Sequence, residues 1–414
     1  MIISKCNEKA DDQKFLDIAK KRPQDFTRNR KMPFNRLVLF MLNMVKNSTQ
    51  TCLDRFFDLI GLEDVHMTQQ SFSEARQKIR WEAFQYLFKS IVDEIYTDYT
   101  STWHGYRVMA IDGSKMQLPD DKALRNHFGT TGKGHTATTA QASALYDVYN
   151  KYLIDVRLEP MRTNELELAK QHIHALSEMS SFNKELILFD RGYSSFTLIE
   201  ALIDHNISFV IRARKKFSVS IDQMAEGDHI TVLRNKANKE IGIRVIKFIL
   251  PSGEEEMLIT NLIDKRMGTK AFKELYFKRW PIETKYDEIK NKLEVENFSG
   301  RTYNAIMQDF FITMHMSNIV TVACWEAQEK VDEAQKLKNN KHDYHVNVNH
   351  AIGTLKDRFI LAVLEKNPWV RRYKTRRILE LLGEHIVPIR KNRSLPRNPF
   401  PRNAKFRHNR KSNC

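Results

Sequence analysis

Two short, wholly apolar runs each end on an aspartate. Val108-Met109-Ala110-Ile111 precedes Asp112, and Leu186-Ile187-Leu188-Phe189 precedes Asp190. A run of four apolar residues without polar alternation marks a strand covered on both faces, and such strands belong to layers of sheet and helix. The neighbouring sequence agrees. Residues 136–148 and 151–158 read as two β-rich strands joined by a turn at Asp147–Lys151. A helix capped by Asn164 runs from Glu165 to Met179, then a helix covers Ser195–His205 and a strand Ile207–Arg212. The fold class is α/β, with a largely buried sheet.

Residues 1–100 read as helical. Leu37, Phe40, Met41, Met44 and Val45 recur at helical spacing behind the basic stretch Arg28-Asn29-Arg30-Lys31. A second helix is expected to start near Ser71 or Ser73 and to run through Ala75, Ile79, Phe84 and Leu87, with Arg76, Lys78 and Arg80 facing water. This region is either a DNA-binding head or a helical cap on a larger domain. Residues 213–256 read as a β-rich insertion containing strands at Ser218–Ile221, His229–Leu233 and Ile241–Leu250. Helix returns over 269–330, a loop is expected at 331–345, and helices resume at 347–365 and 375–383 within a helical region 331–389. The basic, proline-spotted stretch 390–414 is expected to be disordered.

The charge says what such a chain meets. The formal net charge is +16, and the commonest partner of a strongly basic protein is nucleic acid. Residues 366–377 hold six Lys/Arg and no acid, and 390–411 hold nine and no acid, with only Glu380 and Glu384 between them. Nearly all of the surplus thus sits at one end, on an otherwise almost neutral chain. No apolar stretch approaches the ~20 residues of a membrane span, and the first residues carry acids where a signal peptide needs an apolar core. Cys6, Cys52, Cys324 and Cys414 lie too far apart for paired metal or disulfide motifs. The expected setting is reduced and cytoplasmic, with no membrane partner.

A carboxylate just past a buried strand lies at the edge of the sheet where α/β folds place their sites. Two of them on neighbouring strands would reach one divalent cation, and hard oxygen ligands suit Mg²⁺ or Mn²⁺. The plainer alternative is that Asp112 opens an Asp-Gly turn and Asp190 caps the next helix. A third element bears on the choice. Tyr276, Arg279, Glu283 and Lys290 stand at offsets 0, 3, 7 and 14, which 100° per residue turns into one narrow helical stripe. A carboxylate between Arg and Lys fits a metal ligand whose neighbours hold phosphates. A solvated face of ordinary ion pairs is the alternative. Pro281 favours a helix that starts there, with Tyr276 and Arg279 on a preceding turn. Asp287 falls on the same stripe and competes with Glu283 as the third acid. Ser114 with His135, and His172 with His174, lack the partners or the common face that a catalytic or metal pair needs.

The pattern Tyr276-x2-Arg279-x3-Glu283-x6-Lys290 resembles the YREK signature of IS4-type bacterial insertion-sequence transposases. Asp112 in AIDGS and Asp190 in FDRGY resemble the first two acids of their DDE triad, and FTRNRKMPF and QQSFSEARQKI are also similar to this group. The resemblance implies an RNase H-like mixed sheet with flanking helices, interrupted by the β-rich insertion, as a catalytic domain over 101–330. Residues 1–100 would then bind DNA ends. It implies that Asp112, Asp190 and Glu283 are catalytic and hold two Mg²⁺ (or Mn²⁺) ions, with Tyr276, Arg279 and Lys290 on DNA phosphates. The implied partners are double-stranded DNA, as the terminal inverted repeats and the target, and a second copy of the chain in a homodimer on DNA. The implied location is the bacterial cytoplasm, on the nucleoid. The family's insertion places a tryptophan on a flipped base, yet none lies between Asp190 and Tyr276, where Phe217, Phe248 and His229 are the flat rings on offer. The rival functions are a metal-dependent DNA nuclease on the same fold and an inactive DNA-binding regulator.

Overall fold

The structure, a computed structural model, describes residues 13–28, 31–43, 46–98, 101–132, 137–179, 184–235, 238–250, 253–336, 338 and 342–389. Residues 390–414, His135, the pair 29–30 and the pair 44–45 therefore lie outside the described residues. The first helices are α1 (Gln13–Ala19), α2 (Phe34–Leu42), α3 (Thr49–Leu59), α4 (Gln69–Arg76) and α5 (Glu82–Asp98). There follow β1 (Arg107–Gln117), α6 (Lys122–Phe128), β2 (Thr130–Thr131), β3 (Ala137–Asp147), β4 (Leu153–Pro160), α7 (Glu165–Ser177) and β5 (Glu185–Phe189). Next come α8 (Phe196–Asp204), β6 (Ser208–Arg212), β7 (Gly227–Arg234), β8 (Glu240–Ile249), β9 (Glu255–Thr260), α9 (Thr269–Phe277) and α10 (Pro281–Asn291). The last are α11 (Tyr303–Lys336), β10 (Tyr344–Val346), α12 (Val348–Val363), α13 (Pro368–Glu384) and β11 (Ile386–Pro388).

The chain forms two compact units. One gathers Met1–Glu94, Gln117–Thr138 and Asp287–Cys414; the other gathers Ile95–Met116 and Thr139–Tyr286. Neither is a single run of chain, so helix α5, strands β1 and β3 and helix α10 each begin in one unit and end in the other.

The second unit carries most of a nine-stranded mixed sheet of order β2-β3-β1-β5-β6-β9-β8-β7, with β4 paired to β3. Its centre is parallel: Ala110 of β1 stands beside Leu188 of β5, and Leu188 beside Val210 of β6. Val108–Ile111 and Leu186–Phe189 are fully buried, as continuous apolar runs in a covered sheet require. Helices α7 and α8 cover it through Leu168, Ile173 and Leu176 and through Leu198, Ile199 and Leu202. The Asn164 side chain accepts from the Leu166 N–H and starts α7 as its cap. The expected α/β class with a mixed sheet is the fold observed.

The β-rich insertion adds strands to this same sheet. β9 runs antiparallel to β6, β8 to β9, and β7 to β8. One expected strand is absent: Ser218–Ile221 gives way to a helical turn, Val219–Asp222. The buried Lys247 ammonium donates to the carbonyls of Asp222 and Met224, both at 2.8 Å, so a side chain satisfies the end of the turn and no ladder partner is needed.

The first unit is helical, built around α11, whose residues from Ala305 to Ala323 are buried except the half-buried Asp309. Here two expectations change. The helix expected to run unbroken from about Ser71 to Leu87 is interrupted between α4 and α5. The backbone there bonds elsewhere: Lys21 N–H donates to the Lys78 carbonyl, Arg80 N–H to Ala19, and Gln308 and Asn304 both donate to the Ile79 carbonyl. Arg76, expected in water, is 3% exposed. Its guanidinium meets Asp309 at 2.9 Å, Gln308 at 3.0 Å and the Ser299 hydroxyl at 2.5 Å, partners that offset the cost of burying a charge. The loop expected at 331–345 is also shorter, because α11 continues to Lys336.

Candidate active site

Asp112 lies within β1, which runs on to Gln117, so the expected alternative of an Asp-Gly turn is not what forms. The strand loses its β5 partner after Ala110. Continuing the parallel register from Ala110 and Leu188 sets Asp112 level with Asp190, one strand across. Asp190 precedes the short helical turn Arg191–Tyr193, and its side chain makes no capping bond there. Both acids therefore stand at the carboxyl edge of the sheet with their carboxylates not committed to turn or cap. One Asp112 oxygen accepts from the Gly113 N–H at 2.9 Å.

The motif helix is broken where proline requires. α9 ends at Phe277 and α10 begins at Pro281, which leaves Tyr276 in the last turn of α9, Arg279 in the connection and Glu283 in the first turn of α10. Arg279 is 7% exposed and stands between the acids. Its guanidinium nitrogens lie 3.8 Å from Asp112 Oδ2 and 3.1 Å from Glu283 Oε1. The Tyr276 hydroxyl donates to Asp190 Oδ1 at 3.5 Å, and the Tyr286 hydroxyl to the Asp112 carbonyl at 2.9 Å. Tyr276, Arg279, Glu283, Asp112 and Asp190 thus form one constellation inside one unit. Lys290 belongs to the other unit, where its ammonium is 3.7 Å from Glu296. Asp287 also falls in that other unit, with Asn291 donating to it at 2.5 Å.

The electrostatics tie the acids together. Burial pushes the Asp112 carboxyl up to about 6; Glu283 and Asp190 push the same way, against the Gly113 N–H and Arg279. Burial also works against the charge on Arg279, but Tyr276, Asp190, Glu283 and Asp112 more than restore it. The buried phenols of Tyr276, Tyr193 and Tyr286 are all held above their usual range, chiefly by burial and then by these acids. Among the described residues no three His, Cys, Asp or Glu side chains converge closely enough to grip an ion. Instead, Asp112 and Glu283 share one guanidinium.

Sequence reasoning missed Glu165. In the first turn of α7, its carboxylate accepts from Gln141 Nε2 at 3.1 Å, and it acts on the phenols of both Tyr193 and Tyr286, as Asp112 does. A Cβ added to Gly113 would lie 2.7 Å from that Gln141 nitrogen and 3.0 Å from Glu165 Oε1. The one signal in the sequence was the Asn164 cap, which places an acid at a strand-to-helix junction beside the sheet edge.

Elsewhere His172 Nδ1 donates to Asp155 at 2.8 Å and its Nε2 bonds the Ser143 hydroxyl at 3.0 Å, the order of a hydrolase triad. Ser143 is only 2% exposed and Asp155 is also held by Arg157 at 3.0 Å, so no substrate reaches the hydroxyl. In the insertion, Phe248 is 5% exposed with the Lys273 ammonium 4.2 Å over its ring, and His229 is bonded to the Ala225 carbonyl. Phe217 is half-buried.

The sequence of residues 103–319 matches the family described as the transposase DDE domain. The chain is 25% identical over 295 residues to the transposase InsG of insertion sequence element IS4 from Escherichia coli K12, an alignment that takes in 66% of this chain and 65% of that relative. In structure it is similar to the piggyBac transposase in its synaptic complex with hairpin DNA, with a TM-score of 0.50 at 12% identity over 97% of this chain and 87% of that one. That likeness concerns the fold, which is RNase H-like. Matched over more than half of its residues, the chain belongs to the transposase DDE domain family.

Proposed function

We propose that the chain is the transposase of a bacterial insertion sequence, which binds the terminal inverted repeats of its element, cuts the DNA at the ends and joins them to target DNA. The observation that carries this reading is the gathering of Asp112, Asp190 and Glu283 around Arg279 at the carboxyl edge of a covered sheet.

DDE transposases use divalent metal. The donors here fit such ions by chemistry: three hard carboxylates, of which Asp112 and Glu283 already face a shared positive group. Once Arg279 turns from Asp112 and Glu283 to a phosphate, Asp112, Asp190 and Glu283 would be free to close on two Mg²⁺ or Mn²⁺ ions. Bound there, the metal supplies a nucleophile at neutral pH and neutralises charge on the reacting phosphate. The chain's own residues do the rest. The Tyr276 hydroxyl and the Arg279 guanidinium donate to phosphate oxygens, and Arg279 is planar and cannot lose its proton, which suits a bidentate grip. Lys290, in the last turn of α10, would hold a DNA phosphate. In this scheme residues 1–100 recognise the element's ends, and two copies act together to pair them.

The test is incubation of the purified chain with Mg²⁺, end-containing donor DNA and a target plasmid. Joined donor–target product is expected. Cut ends that never join mark a nuclease on the same scaffold, and binding without any cut marks a regulator. Asp190→Asn is expected to abolish cutting while leaving end binding intact.

A further inference from the structure

Helix α13 presents two opposite faces. Its inner face buries Thr375, Ile378, Leu379 and Leu382 against α11 and α12. At 100° per residue Trp369, Arg372, Tyr373, Arg376 and Arg377 fall within an arc of about 140° on the other side. Trp369 is 76% exposed and Tyr373 69%, one helical turn apart. The Arg372 guanidinium lies 5.7 Å from the centre of the Trp369 ring. Asn367 caps the helix by accepting from the N–H groups of Trp369 and Val370, which fixes where the tryptophan emerges.

We propose that the first three turns of α13 bind single-stranded DNA, with Trp369 and Tyr373 stacking on unpaired bases and Arg372, Arg376 and Arg377 holding the adjoining phosphates. The proposal rests on the reading of the chain as an enzyme of DNA ends, where strands separate. Cations alone suffice to hold a duplex by its phosphates. Two large rings left in water, interleaved with guanidinium groups, match instead the stacking platforms of single-strand binders. A second copy of the chain fits this face poorly. A two-fold contact would set the acid-free stretch 366–377, with its six cations, against itself. The pairs that Arg376 and Arg377 make with Glu380 are exposed and easily exchanged for phosphate.

The experiment measures binding of the full chain, in EDTA, to a blunt duplex and to the same duplex carrying a single-stranded tail. The wild type is expected to prefer the tailed DNA. Trp369→Ala with Tyr373→Ala should weaken tailed binding roughly tenfold or more and change blunt binding less than about twofold, while Trp369→Phe keeps most of the preference. Both side chains are exposed, so circular dichroism should be unchanged. No preference in the wild type, equal losses on both DNAs, or loss of a dimer without loss of tailed binding would each overturn the proposal. Because EDTA removes the metal, a wild type that binds DNA with its affinity unmoved by these variants defeats this proposal alone. Failure to bind any DNA defeats the transposase reading with it.

Discussion

At the residue scale, Glu283 and Asp287 pose the sharpest question. Both lie on the stripe that spacing alone allows, but only Glu283 shares a unit and a guanidinium with Asp112. Partners that merely orient a metal ligand typically cost roughly 10–100-fold when lost. Glu283→Gln is therefore expected to reduce DNA cleavage by more than that and Asp287→Asn by far less; the reverse order in a cleavage assay would reassign the third acid. Gly113 is the second such position. A methyl there would meet only the flexible ends of Gln141 and Glu165, so Gly113→Ala should break their hydrogen bond, shift the Glu165 carboxylate beside Asp112 and lower the cleavage rate modestly, with end binding by gel shift retained. The two strand-end acids and the YREK spacing were legible because each is a local pattern. Glu165 was not, since its place over Gly113 arises from β3, β1 and α7 meeting, which no short stretch of sequence records.

At the scale of elements, the wholly apolar strands and capped helices formed where local chemistry placed them. The misreadings came where distant groups took over the backbone: Gln308 and Asn304 capturing the Ile79 carbonyl, Lys247 ending the turn at Asp222. The start of β5 offers a test of buried polar chemistry. Glu185 accepts from the Tyr96 hydroxyl at 2.5 Å, and burial pushes its carboxyl up to about 7, against that bond and the nearby Arg107. A carboxyl raised in the folded state holds its proton there after the unfolded chain has lost it. Its contribution to stability is thus most favourable below about pH 4.5 and declines as pH rises to about 7. Glu185→Gln keeps an acceptor for Tyr96 without the charge. It should raise the melting temperature by a few degrees at pH 8 and leave it nearly unchanged at pH 4.5; equal shifts at both would exclude ionisation as the cause.

For the whole molecule, the +16 is not spread evenly. Deleting residues 390–414 removes nine cations between 390 and 411, so log K for DNA against log salt should flatten by several units, up to roughly eight. An unchanged slope would show that this stretch does not meet phosphate. The two interleaved units carry a further consequence, one of timing. Helix α11, around which the helical unit packs, follows every segment of the unit that bears the acids. At about 5–20 residues per second, a ribosome takes many seconds to reach it, and until then the N-terminal helices lack the surface they pack against. A chain stopped early by a nonsense codon should hence yield no folded end-binding fragment. A damaged gene copy would fall silent, and would not release a competitor for the ends that an intact neighbour needs.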